Sequence, residues 1–210
     1  MVRRPVAFTQ ILMGVLLLSF DTHAAGLTAL GVLPAPSPRS QATAVTPDGR
    51  FVVGYANSGS GSEAFRWSAT EGIRGLGNLP GGELRSEAYA ISADGGTVVG
   101  AAFPGGGVIF EPFRWMPGEG LQRLGGGLPA TFMGAGANDM TPDGQVVVGS
   151  VALASGPGVA YRWTADGGYT VLQPLPPGTL AAGSVAVSSD GRTVAGNLFL
   201  TDSESEWFRW

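Results

Sequence analysis

Phe65-Arg66-Trp67 is the stretch that decides the fold, because close copies of it return three more times along the chain. The copies are Phe113-Arg114-Trp115, Tyr161-Arg162-Trp163 and Phe208-Arg209-Trp210. Their tryptophans are spaced 48, 48 and 47 residues apart, and a fixed period of this length indicates a repeat architecture. In an extended chain the two aromatic residues of each copy share one face and the arginine points to the other.

Each tripeptide belongs to a unit of four recurring segments. A run of small and β-branched residues leads into an Asp-Gly turn, and a return segment such as Thr97–Gly100 follows it. A variable loop then precedes the aromatic tripeptide, and a run bracketed by Gly and Pro, such as Gly72–Pro80, completes the unit. β-Branched runs favour strands and Asp-Gly favours hairpins. The sequence therefore predicts an all-β fold, a β-propeller of about four four-stranded antiparallel blades built from 47–48-residue repeats.

The two ends of the repeat array are incomplete. The array begins with a lone copy of the fourth segment, Gly26–Pro34, and ends on a copy of the third segment at Trp210. Pairing the two ends would remove open sheet edges, so we expect the N-terminal strand to close the last blade. The alternative is an open fragment of a larger propeller, cut short after Trp210.

The N-terminal residues predict export. Arg3 and Arg4 precede a short apolar run, Ile11–Phe20, and small residues follow it, as in a cleavable signal peptide. We assign residues 1–24 to the signal and residues 25–210 to a single β-propeller repeat domain. The apolar run is too short to span a bilayer. The expected location is periplasmic, cell-surface or extracellular, with no stable membrane insertion after cleavage.

The amino-acid composition limits the partners, catalytic sites and metal sites that the chain can have. The chain carries a net charge of −4 and lacks cysteine, and its only histidine, His23, lies in the predicted signal. An acidic balance argues against nucleic acid as a partner. Without Cys, Lys or a retained His, the common nucleophilic triads and zinc sites are excluded. We therefore predict no catalytic residue, no metal site and no cofactor.

The residues that recur in every unit are interpreted as structural. A single carboxylate in each turn suits hairpin chemistry better than a calcium site, which needs several oxygens. The repeated arginines suit stacking on aromatic rings or pairing with carboxylates better than capture of an anionic ligand. This structural signature comprises Asp48, Gly49, Arg66, Trp67, Asp94, Gly95, Arg114, Trp115, Asp143, Gly144, Arg162, Trp163, Asp190, Gly191, Arg209 and Trp210.

Ligand contacts are expected in the loops that differ between units, since binding residues often lie on loops of a rigid scaffold. The candidate contact residues are Asn57, Ser60, Phe103, Pro104, Leu153, Asp202 and Glu204.

The unit resembles the HAF-repeat family of bacterial extracellular repeat proteins. The resemblance is clearest in Leu76–Pro80, Ile91–Gly100 and Ala64–Trp67, and it spans nearly everything after the signal. It departs at the naming triplet, where Glu63, Glu111, Val159 and Glu206 replace histidine. The resemblance implies export and a β-propeller-like fold, and it supplies no catalytic residue.

These observations predict a secreted, noncatalytic β-propeller that binds a protein or glycan at the cell exterior. The alternatives are a carboxylate-based glycan-processing enzyme and an inactive truncated propeller. A closed ring predicts a monomer, whereas open edges predict self-association.

Overall fold

The computed structural model describes residues 26–81, 85–104, 110–125, 127–128, 132–201 and 203–210. The predicted signal at residues 1–24 lies outside the described residues. Strands, turns and bends account for the secondary structure of the described part, and none of its segments is a helix able to cross a membrane. The all-β prediction is confirmed.

The described residues form fifteen strands in four antiparallel sheets. The first sheet contains β1 (Ser40–Val45), β2 (Phe51–Ser58), β3 (Gly61–Ser68) and β4 (Gly72–Gly75). The second contains β5 (Ser86–Ile91), β6 (Val98–Ala102), β7 (Glu111–Met116) and β8 (Gly120–Arg123). The third contains β9 (Phe132–Met140), β10 (Val146–Leu153), β11 (Val159–Thr164) and β12 (Gly168–Val171). The fourth contains β13 (Ala181–Val187), β14 (Val194–Phe199) and β15 (Ser205–Arg209).

Every sheet is an up-and-down meander, with each strand paired to the next one in the chain. The valine-rich return strands β2, β6, β10 and β14 lie between two partners, which suits their β-branched side chains. The glycine that ends each valine run faces a close backbone approach. A Cβ on Gly100, for example, would collide with the carbonyl oxygen of Glu87 on β5.

The sheets pack against one another in chain order, β2 against β5, β6 against β9 and β10 against β13. Leu79, in the segment after β4, is buried between the first two sheets with Val53 and Ala64 on one side and Val98 and Phe113 on the other. Leu175, the equivalent of Leu79, packs between the third and fourth sheets together with Leu172. Fully buried apolar side chains between consecutive sheets are the main stabilising contribution of such an arrangement.

The predicted closure by Gly26–Pro34 is wrong in this structure. That segment forms no strand, and the fourth sheet consists of β13, β14 and β15 alone among the described residues. Leu33 is instead buried against Ala56 and Phe65 of the first sheet. The β1 side chains are mostly exposed, whereas those of its equivalent β5 are alternately buried, because among the described residues no sheet packs on the outer face of β1 as the first sheet packs on β5. Three steps of sheet packing therefore leave one face of the first sheet and one face of the last without a packed sheet among the described residues.

Candidate functional site

The inner strand of each sheet carries a β-bulge at the same place in the repeat. The pairing register skips one residue on β1, β5, β9 and β13, and the skipped residues are Thr43, Tyr89, Asn138 and Val185. A bulge leaves the extra residue unpaired and redirects its side chain, and bulges often lie beside functional sites. These four positions are the same in backbone geometry but differ fully in chemistry.

Two of the bulge residues bridge to the next sheet. The hydroxyl of Thr43 donates to the carbonyl oxygen of Ala88 at 2.8 Å, and Nδ2 of Asn138 donates to that of Ser184 at 2.8 Å. Tyr89 breaks this pattern, because its hydroxyl donates instead to Glu87 on its own strand, at 2.9 Å. Burial, together with the charge of Glu87, raises the pKa of the Tyr89 phenol well above its usual range, so it remains a hydrogen-bond donor.

Tyr89 belongs to an aromatic cluster, which we define as Arg85, Glu87, Tyr89, Phe103 and Phe110. The Arg85 guanidinium pairs with Glu87 at 3.7 Å and lies 4.4 Å from the ring centroid of Phe103 and 5.2 Å from that of Phe110. The two phenylalanine rings are tilted against each other with centroids 3.9 Å apart. The backbone is held as well, since the Phe103 N–H donates to the carbonyl oxygen of Arg85 at 2.9 Å. The cluster is thus a rigid surface with one cation, one carboxylate and three rings.

A cleft of about 420 Å³ opens beside the aromatic cluster, between the second and third sheets. Its rim is formed by Tyr89, Phe110 and Met133, and its polar lining comes from Asn138 and Ser150. Met133 is 59% exposed although it is a large apolar side chain. The third sheet has glycine and alanine at Gly134–Gly136, where the first two sheets carry larger groups, and this leaves room for the cleft. A Cβ added to Gly136 would lie 3.9 Å from the Tyr89 ring without a clash. Such a site suits an apolar group flanked by hydrogen-bonding groups.

A second cleft, of about 440 Å³, lies on the first sheet around Gln41, Tyr55 and Asn57. The Tyr55 hydroxyl donates to the Gln41 side chain at 2.8 Å. Asn57, one of the predicted contact residues, lines this cleft and donates through Nδ2 to the carbonyl oxygen of Ser37 at 3.0 Å. Its amide is therefore engaged in holding the segment that precedes β1.

The other predicted loop residues do not form one site. Phe103 is in the aromatic cluster, and Pro104 follows it at the edge of the described segment. Leu153 packs against the core of the third sheet, so packing explains it better than ligand contact. Ser60 and Glu204 are exposed in the β2–β3 and β14–β15 turns. Asp202 lies outside the described residues.

The four turn aspartates share one hydrogen-bond arrangement. In the second sheet, Oδ1 of Asp94 accepts from the Ser92 hydroxyl at 2.6 Å and from the Gly96 N–H at 2.8 Å. The Ser92 hydroxyl in turn accepts from the Thr97 N–H at 2.8 Å. These bonds hold the carboxylate in its charged form, the Ser or Thr hydroxyl contributing most, and they lower the pKa of all four residues, Asp48, Asp94, Asp143 and Asp190. Within the described residues no group of three or more His, Cys, Asp or Glu side chains is placed to bind a metal.

Three of the four repeated arginines reach the next sheet. Nε of Arg66 donates to the carbonyl oxygen of Gly95 at 3.0 Å, and Nε of Arg162 donates to that of Gly191 at 3.2 Å. The Arg114 guanidinium lies 5.7 Å from the ring centroid of Trp163. Arg209, on the last strand, is exposed and contacts Thr193 of its own sheet at 3.2 Å.

Asp139 is a half-buried carboxylate on β9. Burial raises its pKa, although its Oδ2 accepts a hydrogen bond from the Val187 N–H of the fourth sheet at 2.8 Å. That bond joins two sheets, and it gives Asp139 a structural contact at the position next to the Asn138 bulge.

Sequence reasoning missed Tyr89, its hydrogen-bond partner Glu87, and Arg85, which pairs with Glu87. A signal was present, since Tyr89 is the aromatic member of the four equivalent positions Thr43, Tyr89, Asn138 and Val185. The direction of the Tyr89 side chain depends on the β-bulge, and no residue type in the segment predicts a bulge there.

No protein-family model matches the chain, and no curated protein matches it. Solved structures do match. The chain is similar to TolB from Acinetobacter baumannii, with 17% identity, a TM-score of 0.59 and coverage of 82% of this chain and 41% of that one. It is similar to a putative TolB from Agrobacterium tumefaciens, with 20% identity, a TM-score of 0.53 and coverage of 75% and 53%. A prolyl endopeptidase matches with 11% identity, a TM-score of 0.56 and coverage of 82% and 27%.

The chain therefore spans between a quarter and about half of the length of these structures. At such low identity the likeness concerns the fold alone. Taken with the four antiparallel meanders packed in chain order, it shows that this chain has a β-propeller fold.

Proposed function

We propose that this protein is an exported, noncatalytic β-propeller module that binds a protein ligand through the cleft beside Tyr89. The observation that carries the proposal is the break in repeat symmetry at Tyr89. The side chains of the equivalent residues Thr43 and Asn138 donate hydrogen bonds to the neighbouring sheet, whereas the ring of Tyr89 lines an open cleft. A ligand needs one distinct environment, and this is where the repeat provides it.

The chemistry of the cleft favours a peptide segment with an apolar side chain. Exposed Met133 and the ring of Phe110 offer apolar contact, and Met adapts readily to different partners. Nδ2 of Asn138 is engaged by Ser184 and Ser150, so Oδ1 of Asn138 offers an acceptor and the Ser150 hydroxyl a donor to a peptide backbone. Arg85 and Glu87 are already paired with each other, so they provide a polar rim rather than a free charge.

The cleft is tested by selecting random peptides displayed on phage against the purified protein, with neutral oligosaccharides assayed in parallel. We expect peptides with an apolar or aromatic anchor to be enriched. Met133→Ser should weaken a selected peptide about tenfold, since a few anchor residues supply most of the binding energy of an interface and each costs more than about 1 kcal/mol when truncated. Leu180→Ser is the matched control, because Leu180 is a similarly exposed apolar residue outside the cleft.

A second pair of variants separates the ring of Tyr89 from its hydroxyl. Tyr89→Ala should abolish peptide binding, whereas Tyr89→Phe, which keeps the ring and loses the bond to Glu87, should retain most of it. Peptide binding that survives Tyr89→Ala would refute the proposed site. Binding of oligosaccharides alone would replace the protein ligand by a glycan. Hydrolysis of an oligosaccharide that is lost in Glu87→Gln would instead support carboxylate-based glycan processing.

Export is tested separately. We propose that residues 1–24 direct secretion, and the similarity of the repeat to HAF-repeat proteins supports it. Produced in a bacterial host, the protein should be recovered outside the cytoplasm with Ala25 as its first residue by N-terminal sequencing. Recovery from the cytoplasm with Met1 intact would contradict export and leave the ligand proposal untouched.

A further inference from the structure

The outer edge of the fourth sheet differs from that of the other three. β15 pairs with β14 and has no second partner among the described residues, whereas β3, β7 and β11 each have one. The edge is already extended and in register, because the N–H and C=O groups of Trp210 both bond to Val194, at 2.8 and 2.9 Å. Trp207, on β15, is 77% exposed. An unpaired, ordered edge of this kind is a template for another strand.

A groove of about 170 Å³ lies beside this edge. Its apolar lining comes from Leu172, Leu175, Leu198, Phe208 and Trp210. In the second sheet, the fourth strand buries Leu121 against the corresponding core, where it packs with Phe113 and Leu79. The groove is thus the place where a fourth strand would put an apolar side chain.

The chain carries one fourth-strand sequence that has no sheet partner. Gly26-Leu27-Thr28-Ala29-Leu30-Gly31 repeats the pattern of Gly72-Ile73-Arg74-Gly75-Leu76-Gly77. In the structure Leu27 is fully exposed and the segment forms no strand, while Leu33, a few residues on, is buried against the first sheet. The donor segment is therefore anchored at one end of the array and the acceptor edge lies at the other.

We propose that Gly26–Leu30 of one copy of this chain pairs as the fourth strand with β15 of a second copy. The register follows from the three complete sheets, in which the arginine of the third strand lies opposite the same position of the fourth: Arg66 opposite Arg74, Arg114 opposite Gln122 and Arg162 opposite Thr170. By this register Arg209 lies opposite Thr28, and Trp210 lies opposite Leu27. Donor and acceptor are different surfaces, so the contact is head-to-tail and builds a ring or a longer chain of copies.

Cysteine pairing tests this register, because the chain has no cysteine of its own. Thr28 and Arg209 are both exposed, so Thr28→Cys and Arg209→Cys should leave the fold unchanged. Opposed residues of antiparallel strands have Cα atoms about 4.5–5.5 Å apart, which a disulfide can bridge. Mixing the two single variants under mild oxidation should give a disulfide-linked dimer of the two chains. Each variant alone measures the background of random pairing.

Two controls make the outcome decisive. Thr28→Cys mixed with Glu206→Cys, which is three positions out of register, should link at least tenfold less. Leu27→Arg, added to the Thr28→Cys chain, should also lower linkage at least tenfold, because it places a charge in the apolar groove. Linkage no greater than background would overturn the proposal. A chain carrying both Thr28→Cys and Arg209→Cys should form linked oligomers; an internal bridge within a monomer would overturn it in favour of closure by the same chain.

Discussion

Arg66 bonds to the second sheet and also contacts residues of its own sheet. Its Nε donates to the carbonyl oxygen of Gly95, its guanidinium lies 3.9 Å from the ring centroid of Phe51, and Nη1 pairs with Glu71 at 3.2 Å. Arg66→Ala should lower the free energy of unfolding by about 2 kcal/mol, since a charged hydrogen bond contributes roughly 1.5–3 kcal/mol and the stacked cation adds to it. Urea denaturation followed by tryptophan fluorescence measures this loss.

Arg209→Ala is the matched control at the end of the array. Arg209 occupies the same repeat position but is exposed and contacts only Thr193 of its own sheet among the described residues. We expect its replacement to change the unfolding free energy by less than about 0.5 kcal/mol. Equal losses in the two variants would mean that the arginine acts within its own strand and not between sheets.

At the scale of the element, the hairpin turns make stability depend on pH. The hydroxyl of the preceding Ser or Thr lowers the pKa of each turn aspartate. A carboxylate with a folded pKa below its unfolded value contributes stability above the unfolded pKa and loses it as the pH falls through the folded one. The thermal midpoint should therefore be nearly constant from pH 7 to about pH 4 and fall below it.

Two amide variants test which carboxylates cause the loss of stability at low pH. Asp94→Asn keeps an acceptor for Ser92 and Gly96 but has no charge to lose, so its thermal midpoint should fall less below pH 4 than that of the unchanged protein. The contribution of Asp139 depends on pH in the opposite direction, because burial raises the pKa of its carboxyl group. The stability that its neutral form provides is lost as the pH rises. Asp139→Asn should accordingly gain more stability at pH 7 than at pH 3. Acid profiles that coincide for all three proteins would contradict both assignments.

The elements were largely predictable from the sequence, and their interactions were not. Asp-Gly turns and valine runs have local causes, so the four-stranded units could be derived from residue order alone. Glycine is required at position 100 because the carbonyl oxygen of Glu87, on the neighbouring strand, occupies the place of a Cβ atom. This cause is not local in the sequence. The bulge that redirects Tyr89 likewise depends on pairing between strands. The candidate cleft could not be predicted because it depends on small residues of a different sheet.

The predicted ring closure failed for a reason at the scale of the whole molecule. The incomplete strand sets at the two ends are complementary in sequence, but the angle between consecutive sheets decides whether they meet. Leu33 binds the N-terminal segment to the first sheet, and packing then proceeds in one direction to the fourth. Residue patterns specify which surfaces match, whereas the number of sheets needed to complete a turn depends on how all the side chains between them pack.

Because each sheet packs on its chain neighbours, stability should be distributed like that of a linear repeat array. We expect amide hydrogen exchange to be slowest in β6 and β10, which lie in the two central sheets, and fastest in β1 and β15 at the uncovered ends.

Phe113→Leu, in the core shared by the first two sheets, should speed exchange in both of them by roughly tenfold, as a loss of about 1–2 kcal/mol implies. Phe208→Leu, at the half-buried equivalent position in the core shared by the third and fourth sheets, should speed exchange in those two sheets and leave the first unchanged. Hydrogen-exchange mass spectrometry resolves these peptides, and uniform acceleration in both variants would show that the four sheets unfold as one cooperative unit.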